Sequence, residues 1–95
     1  MFAKAADNYV EIYAGGTPQL IRMSLAALEE RLREHGPTHA RVHRSYLVNT
    51  AQIRSIVPTG EGDASILLAN GATIPGSRRY RENLSSLEAR LEFLP

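Results

Sequence analysis

His35, His39 and His43 recur every four residues, the spacing at which helical side chains stack, so metal ligation is the first chemistry to weigh. Gly36-Pro37 falls between the first two and breaks that face, and the histidines read instead as exposed or phosphate-facing rings. Ser45 lies two residues beyond His43, which raises acyl transfer. Residues i and i+2 of a strand share a face, however, without the separate elements and orienting acid of a nucleophilic triad. Gly60-Glu61-Gly62-Asp63 lacks the surrounding glycines of a phosphate loop and fits a hairpin connection. With no cysteine in the chain, thiolate nucleophiles, disulfides and cysteine-bearing metal sites are excluded. The residues therefore predict neither an enzyme nor a metal or cofactor site.

Charge is the stronger signal. The formal net charge is only +1, yet acids and bases occupy different segments. Gly36 to Asn49 holds no acid and contains His39, Arg41, His43 and Arg44, while "SRRYR", Ser77 to Arg81, places three arginines before Glu82. Ten of the eleven basic residues are arginine, whose planar fork suits phosphates and guanine edges. Glu29, Glu30 and Glu34 beside Arg31 and Arg33 read as a mixed solvated face. The two basic islands favour an anionic partner.

Short strands and two helices must position these islands. "RVHRSYLVN" sets His43, Arg44 and Ser45 at the mouth of a core strand in which Tyr46 and Val48 point one way and Leu47 the other. A strand packed on both sides would present the polar residues before it rigidly. "YVEIYA" turns through Gly15-Gly16 and Thr17-Pro18 into "QLIRM", a hairpin. Ser24 caps a helix of about three turns carrying Leu25, Leu28 and Leu32, with Glu29 paired to Arg33 and Gly36-Pro37 as its stop. "IRSIV", "ASILLA" and "ATIPG" form a three-stranded meander, with Asn70-Gly71 as a type I′ turn. Ser77 caps a terminal helix with Tyr80, Leu84, Leu87 and Leu91 on one face.

Ninety-five residues suffice for one domain, expected over 1–95, to close a core without staples. The longest apolar runs, such as "ILLA", fall far short of the roughly 20 residues that span a bilayer, and no secretory leader opens the chain. The expectation is a soluble, cytoplasmic chain without membrane contact.

The order "DNYVEIY", "MSLAALEERL", "RVHRSYLVNTAQI", "NGATIPGSRRYRENL" resembles the LytTR family of bacterial DNA-binding domains over nearly the whole chain. "HRSYLVN" and "IPGSRRY" are its most specific blocks. The resemblance implies a mostly β fold with two short helices, antiparallel sheets, and loops at one edge that enter successive major grooves of duplex DNA. It also implies a transcription regulator, occupying repeated half-sites as two copies, with a receiver or sensory domain N-terminal in a longer protein. An excised output domain and a short natural regulator both suit the chain.

Position by position, the resemblance assigns base contacts to Asn8, Arg44 and Arg79; beside them His43, Ser45, Arg78, Tyr80 and Arg81 suit phosphate oxygens, and Lys4, basic where many members have an apolar or acidic residue, is an added phosphate contact. Two guanidinium N–H groups of Arg44 match guanine O6 and N7, and the Asn8 amide matches adenine. Four of them have a plainer alternative. Arg44 is compatible with a solvated charge, Asp7-Asn8 with ordinary turn chemistry, Tyr80 with packing on the leucine stripe, and Lys4 with an edge-strand lysine that blocks aggregation. Where members of the family carry large apolar residues before "RVHRS", this chain has His39 and Ala40, which predicts a looser core corner. Two rival functions share the basic islands: a general nucleic-acid or RNA binder, which would need exposed aromatics for stacking, and a protein-interaction module that has lost DNA. Tyr9, Tyr13 and Tyr46 read as core positions, which argues against the first.

Overall fold

Phe2–Ala6 (β1) and Tyr9–Tyr13 (β2) pair antiparallel across Asp7-Asn8, with Ala6 opposite Tyr9. The structure is a computed structural model; it describes residues 2–36 and 38–92, excluding the side chains of residues 90–92. Gln19–Ile21 (β3) adds to β2, and His39–His43 (β4) and Tyr46–Asn49 (β5) complete a five-stranded antiparallel sheet ordered β3-β2-β1-β5-β4. Ile53–Gly60 (β6), Asp63–Leu68 (β7) and Thr73–Gly76 (β8) form the expected meander as a second sheet. Leu25–Arg33 (α1) follows β3, and Arg81–Glu92 (α2) follows β8.

Strand β5 is packed on both faces, as its alternation predicts. Leu47 joins Ala3, Val10, Leu25 and Leu28 in a small core under α1. Val48 faces the larger core, with Val42, Ile66, Ile74, Leu84 and Leu87 between the two sheets and α2. Full burial of one such aliphatic side chain contributes about 1.5 to 3 kcal/mol. Among the described residues no polar or charged residue is buried, so the charged chemistry lies at the surface.

The Ser24 hydroxyl accepts from the Ala27 amide at 3.0 Å and starts α1, whose nine residues make about two and a half turns rather than three. Glu29 pairs with Arg33 at 3.5 Å. Gly36, at φ 93°, reverses the chain beyond the helix. Pro37, expected to share that role, lies outside the described residues, as does the side chain of Leu91 on the α2 stripe.

Several turns differ from expectation. "RVHRSYLVN" is two strands joined by Arg44-Ser45, so the three polar residues sit at the tip of a hairpin and not at the mouth of one strand. Asn70 does not adopt the positive φ that a type I′ turn requires. Instead Gly71 alone does, Leu68 and Ala72 bond across a three-residue loop, and the Asn70 carboxamide oxygen accepts from the Ala72 amide at 3.0 Å. The two-residue turn with both φ values positive is Glu61-Gly62. Strand β1 is the middle strand of its sheet, so Lys4 is no edge lysine; it is half-buried on a row with Glu11 and Tyr46.

Candidate nucleic-acid interface

The strand register brings the predicted base readers to one end of the molecule. Strands β1 and β5 run antiparallel with Lys4 opposite Tyr46, and the Ala5 amide donates to the Ser45 carbonyl at 2.9 Å. The Asn8 turn and the Arg44 turn therefore leave the same edge of the large sheet. From the small sheet, Ser77 donates its amide to the Val42 carbonyl at 2.8 Å, which seats the short 3-10 turn Arg78–Tyr80 beside β4. Asn8, Arg44, Arg78, Arg79 and Arg81 are exposed, and His43, Ser45 and Tyr80 are half-exposed. Lys4 stands back from the tips.

A β-bulge at Val42 makes this seating possible. Arg41 faces Leu47 and His43 faces Tyr46, so two steps along β4 match one along β5. The extra residue falls out of the ladder, and its carbonyl is free for Ser77. Val42 itself is fully buried, which pins the bulge to the larger core.

Within the Arg44 turn, the Ser45 amide donates to His43 Nδ1 at 3.0 Å. An amide can only donate, so the neutral ring carries its proton on Nε2, which is left as a donor. Burial pushes the His43 pKa below the ordinary imidazole range, and Arg44 pushes it the same way; Asp63 opposes them without reversing the direction. His43 is thus a neutral donor near pH 7. Its ring meets Tyr46 edge-on at 5.6 Å and borders an open recess of about 500 Å³ that Asp63, Ser65, Thr73 and Ser77 also line.

The Arg79 turn is held from three sides. The Ser77 hydroxyl accepts from the Arg79 amide at 3.3 Å, and the Asp63 carboxylate accepts from the Arg78 amide at 2.9 Å. The Gly62 backbone rests so close that a Cβ there would stand 2.8 Å from the Arg78 Cβ. The Gly60 to Asp63 hairpin, a plain connection in the sequence, thus buttresses the second basic island. Nothing in its composition announces this.

Arg41 also departs from its sequence reading. The run around it contains no acid, yet α1 supplies one: Arg41 Nη1 lies 3.2 Å from Glu29 Oε1, and its guanidinium sits 5.8 Å from the centre of the Tyr80 ring. Tyr80 packs under Arg41, and this contact takes one face of its ring. Tyr9 departs in the opposite sense, being 43% exposed beside Asn8 and not a core residue. At the corner predicted to be loose, His39 Nε2 is buried without a partner, and a recess of about 230 Å³ opens beside His39 and Ala40.

Among the described residues no group of three or more His, Asp or Glu side chains is placed to hold a metal, and no helix is long and apolar enough to cross a membrane.

Comparison with known proteins bears on the family and the fold. The family model described as LytTr DNA-binding domain matches residues 1–88. A solved structure, the LytTr DNA-binding domain of a methyl-accepting/DNA response regulator from Bacillus cereus, superposes with a TM-score of 0.80 at 26% identity, covering 92% of this chain and 78% of that one. The sensory transduction protein LytT of Bacillus subtilis is 29% identical over 87 residues, 92% of this chain and 35% of that protein. The transcriptional regulatory protein BtsR of Escherichia coli is 48% identical over 44 residues, 46% of this chain and 18% of its own length. The chain thus spans about a third or less of the curated relatives it matches. It belongs to the LytTR family of DNA-binding domains.

Proposed function

We propose that the chain binds duplex DNA sequence-specifically as the output domain of a bacterial transcription regulator. Arg44 and Arg79 read guanine edges, Asn8 reads adenine, and His43, Ser45, Arg78, Arg81, Lys4 and the Tyr80 hydroxyl meet phosphates. The observation that carries this reading is the convergence of three turns from two sheets on one edge, with both arginines exposed and their backbones braced. His43 serves as a neutral Nε2–H donor to a phosphate oxygen, which sets register without a charge of its own.

Three base-reading side chains give one copy limited discrimination, so two copies on repeated half-sites compound it. The free chain is a monomer in this reading, since its helices expose only narrow apolar stripes. A receiver or sensory domain N-terminal to this unit, and action in the cytoplasm where the DNA lies, follow by analogy with the response regulators it resembles.

Mobility-shift titration with duplex and single-stranded DNA, of random and of selected sequence, tests the proposal. Preference for a selected duplex supports it. Equal or tighter binding to single strands would favour a general nucleic-acid binder, although Tyr13 and Tyr46 are half-buried and offer little stacking surface.

A further inference from the structure

We propose that Arg41 is a positioning residue that holds the Arg44 turn at a fixed distance from the Arg79 turn, and so sets base discrimination without touching DNA. The inference rests on the reading of Arg44 and Arg79 as base contacts.

Every nitrogen of its guanidinium is committed within the protein. Nε donates to the His43 carbonyl at 3.0 Å, Nη2 donates to the Arg44 carbonyl at 2.6 Å, and Nη1 meets Glu29 Oε1 at 3.2 Å. The side chain is only 16% exposed. Arg44-Ser45 contains no Gly, Pro, Asn or Asp, and serine sets a turn by its own chemistry only weakly. The fork of Arg41 supplies from outside what the turn lacks, by grasping the two carbonyls at its tip.

The same residue reaches the other island. Its ring neighbour Tyr80 closes the 3-10 turn that carries Arg79, and its own carbonyl accepts from Asn83 Nδ2 on α2 at 2.7 Å. Two base readers on separate loops are thereby parts of one rigid body, and their spacing along a groove is fixed before DNA arrives. Lysine cannot substitute, because a single ammonium on a flexible stem does not span two carbonyls and a carboxylate in a plane.

The test is competition binding of R41K, R44A and the R41K/R44A double variant against a selected duplex, its single-base substitutions and random duplex, at several salt concentrations. R41K is expected to lower the selected-to-random ratio about tenfold, within the range for loss of one bidentate base contact. The loss should fall on the base pair that R44A also relaxes, with random-duplex affinity and salt slope unchanged, and R41K should add nothing in the R44A background. E29Q, which removes one support and leaves both carbonyl contacts, should produce a smaller loss at the same base pair. It carries the same cycle if R41K melts too low to assay.

Equal weakening on both duplexes with a shallower salt slope would make Arg41 a phosphate contact and overturn the proposal. So would additive effects in the double variant. If R44A itself relaxes no base pair, the base-reading assignment fails first, which is a different result from a neutral or additive R41K beside an effective R44A.

Discussion

The Arg44 turn and the Asn8 turn leave the same edge of the same sheet on neighbouring strands, yet they are held in different ways. Arg44 is gripped through two carbonyls by Arg41 and through Ser45 by His43. Asp7-Asn8 depends on its own backbone, with Asp7 at φ 54°, a conformation that aspartate tolerates better than most residues. Its one charged side chain is an acid, which phosphates repel. The two turns teach that exposure alone does not describe a candidate reader: the backbone carrying Arg44 is fixed by side chains from outside its turn, whereas the backbone carrying Asn8 is fixed by the two-residue turn itself.

The comparison breaks first at the arginines. Arg44→Ala and Arg79→Ala are each expected to lose about 1 to 3 kcal/mol of discrimination between selected and random duplex, with the fold intact. Competition titration reads this directly, and a loss shared equally by both duplexes would reassign the residue to phosphate contact.

Gly62→Ala sharpens it next, because it disturbs a brace and leaves every proposed reader in place. The new Cβ meets the Arg78 Cβ at 2.8 Å with φ at +88°, so stability should fall by about 1 to 2 kcal/mol. Discrimination should relax at the Arg79 base pair only. Thermal melts combined with single-base competition check both parts, and unchanged discrimination would show that the Gly60 to Asp63 hairpin supports the fold alone.

Asn8→Ala should cost less. A bidentate amide–adenine contact is worth about 1 to 3 kcal/mol, and Asn8, on a turn without the side-chain braces of Arg44, is expected at the lower end of that range. A loss as large as that of Arg44→Ala would mean that the unbraced turn is as well ordered as the braced one.

The smallest effect is on pH. The folded-state pKa of His43 lies below its unfolded value, so the unfolded chain binds more protons between the two. The associated stability is present above the ordinary imidazole range and is lost as pH falls through it toward the depressed value. His39, lowered by burial, adds in the same direction. Proton NMR titration of the His43 ring should give a midpoint below that of free histidine, and a raised midpoint would remove the neutral-donor role.

Much of this architecture was legible in the sequence. The meander announced itself through Gly60 to Asp63 and Asn70-Gly71, the helix start through Ser24, and the double-sided packing of β5 through Tyr46-Leu47-Val48. The division of "RVHRSYLVN" into a hairpin was not legible, because Arg44-Ser45 has only serine as a weak turn former and its reversal is stabilised by side chains from Arg41 and, beyond it, Glu29. Strand β1 was equally faint: "FAKAA" has weak strand propensity and is extended because it pairs on both sides. Arg44 and Arg79 were visible as residue types in basic islands and Asn8 only through the family resemblance, whereas the braces, Arg41, Gly62 and Asp63, depend on contacts between distant segments that no local spacing encodes.

Competition between a selected duplex and random duplex across a salt series shows whether this edge reads duplex DNA. For roughly 4 to 6 neutralised phosphates, the log–log slope should lie near about −4 to −5 on duplex DNA, with the selected sequence preferred throughout. A nearly flat response to salt, or no preference for any duplex sequence, would contradict it.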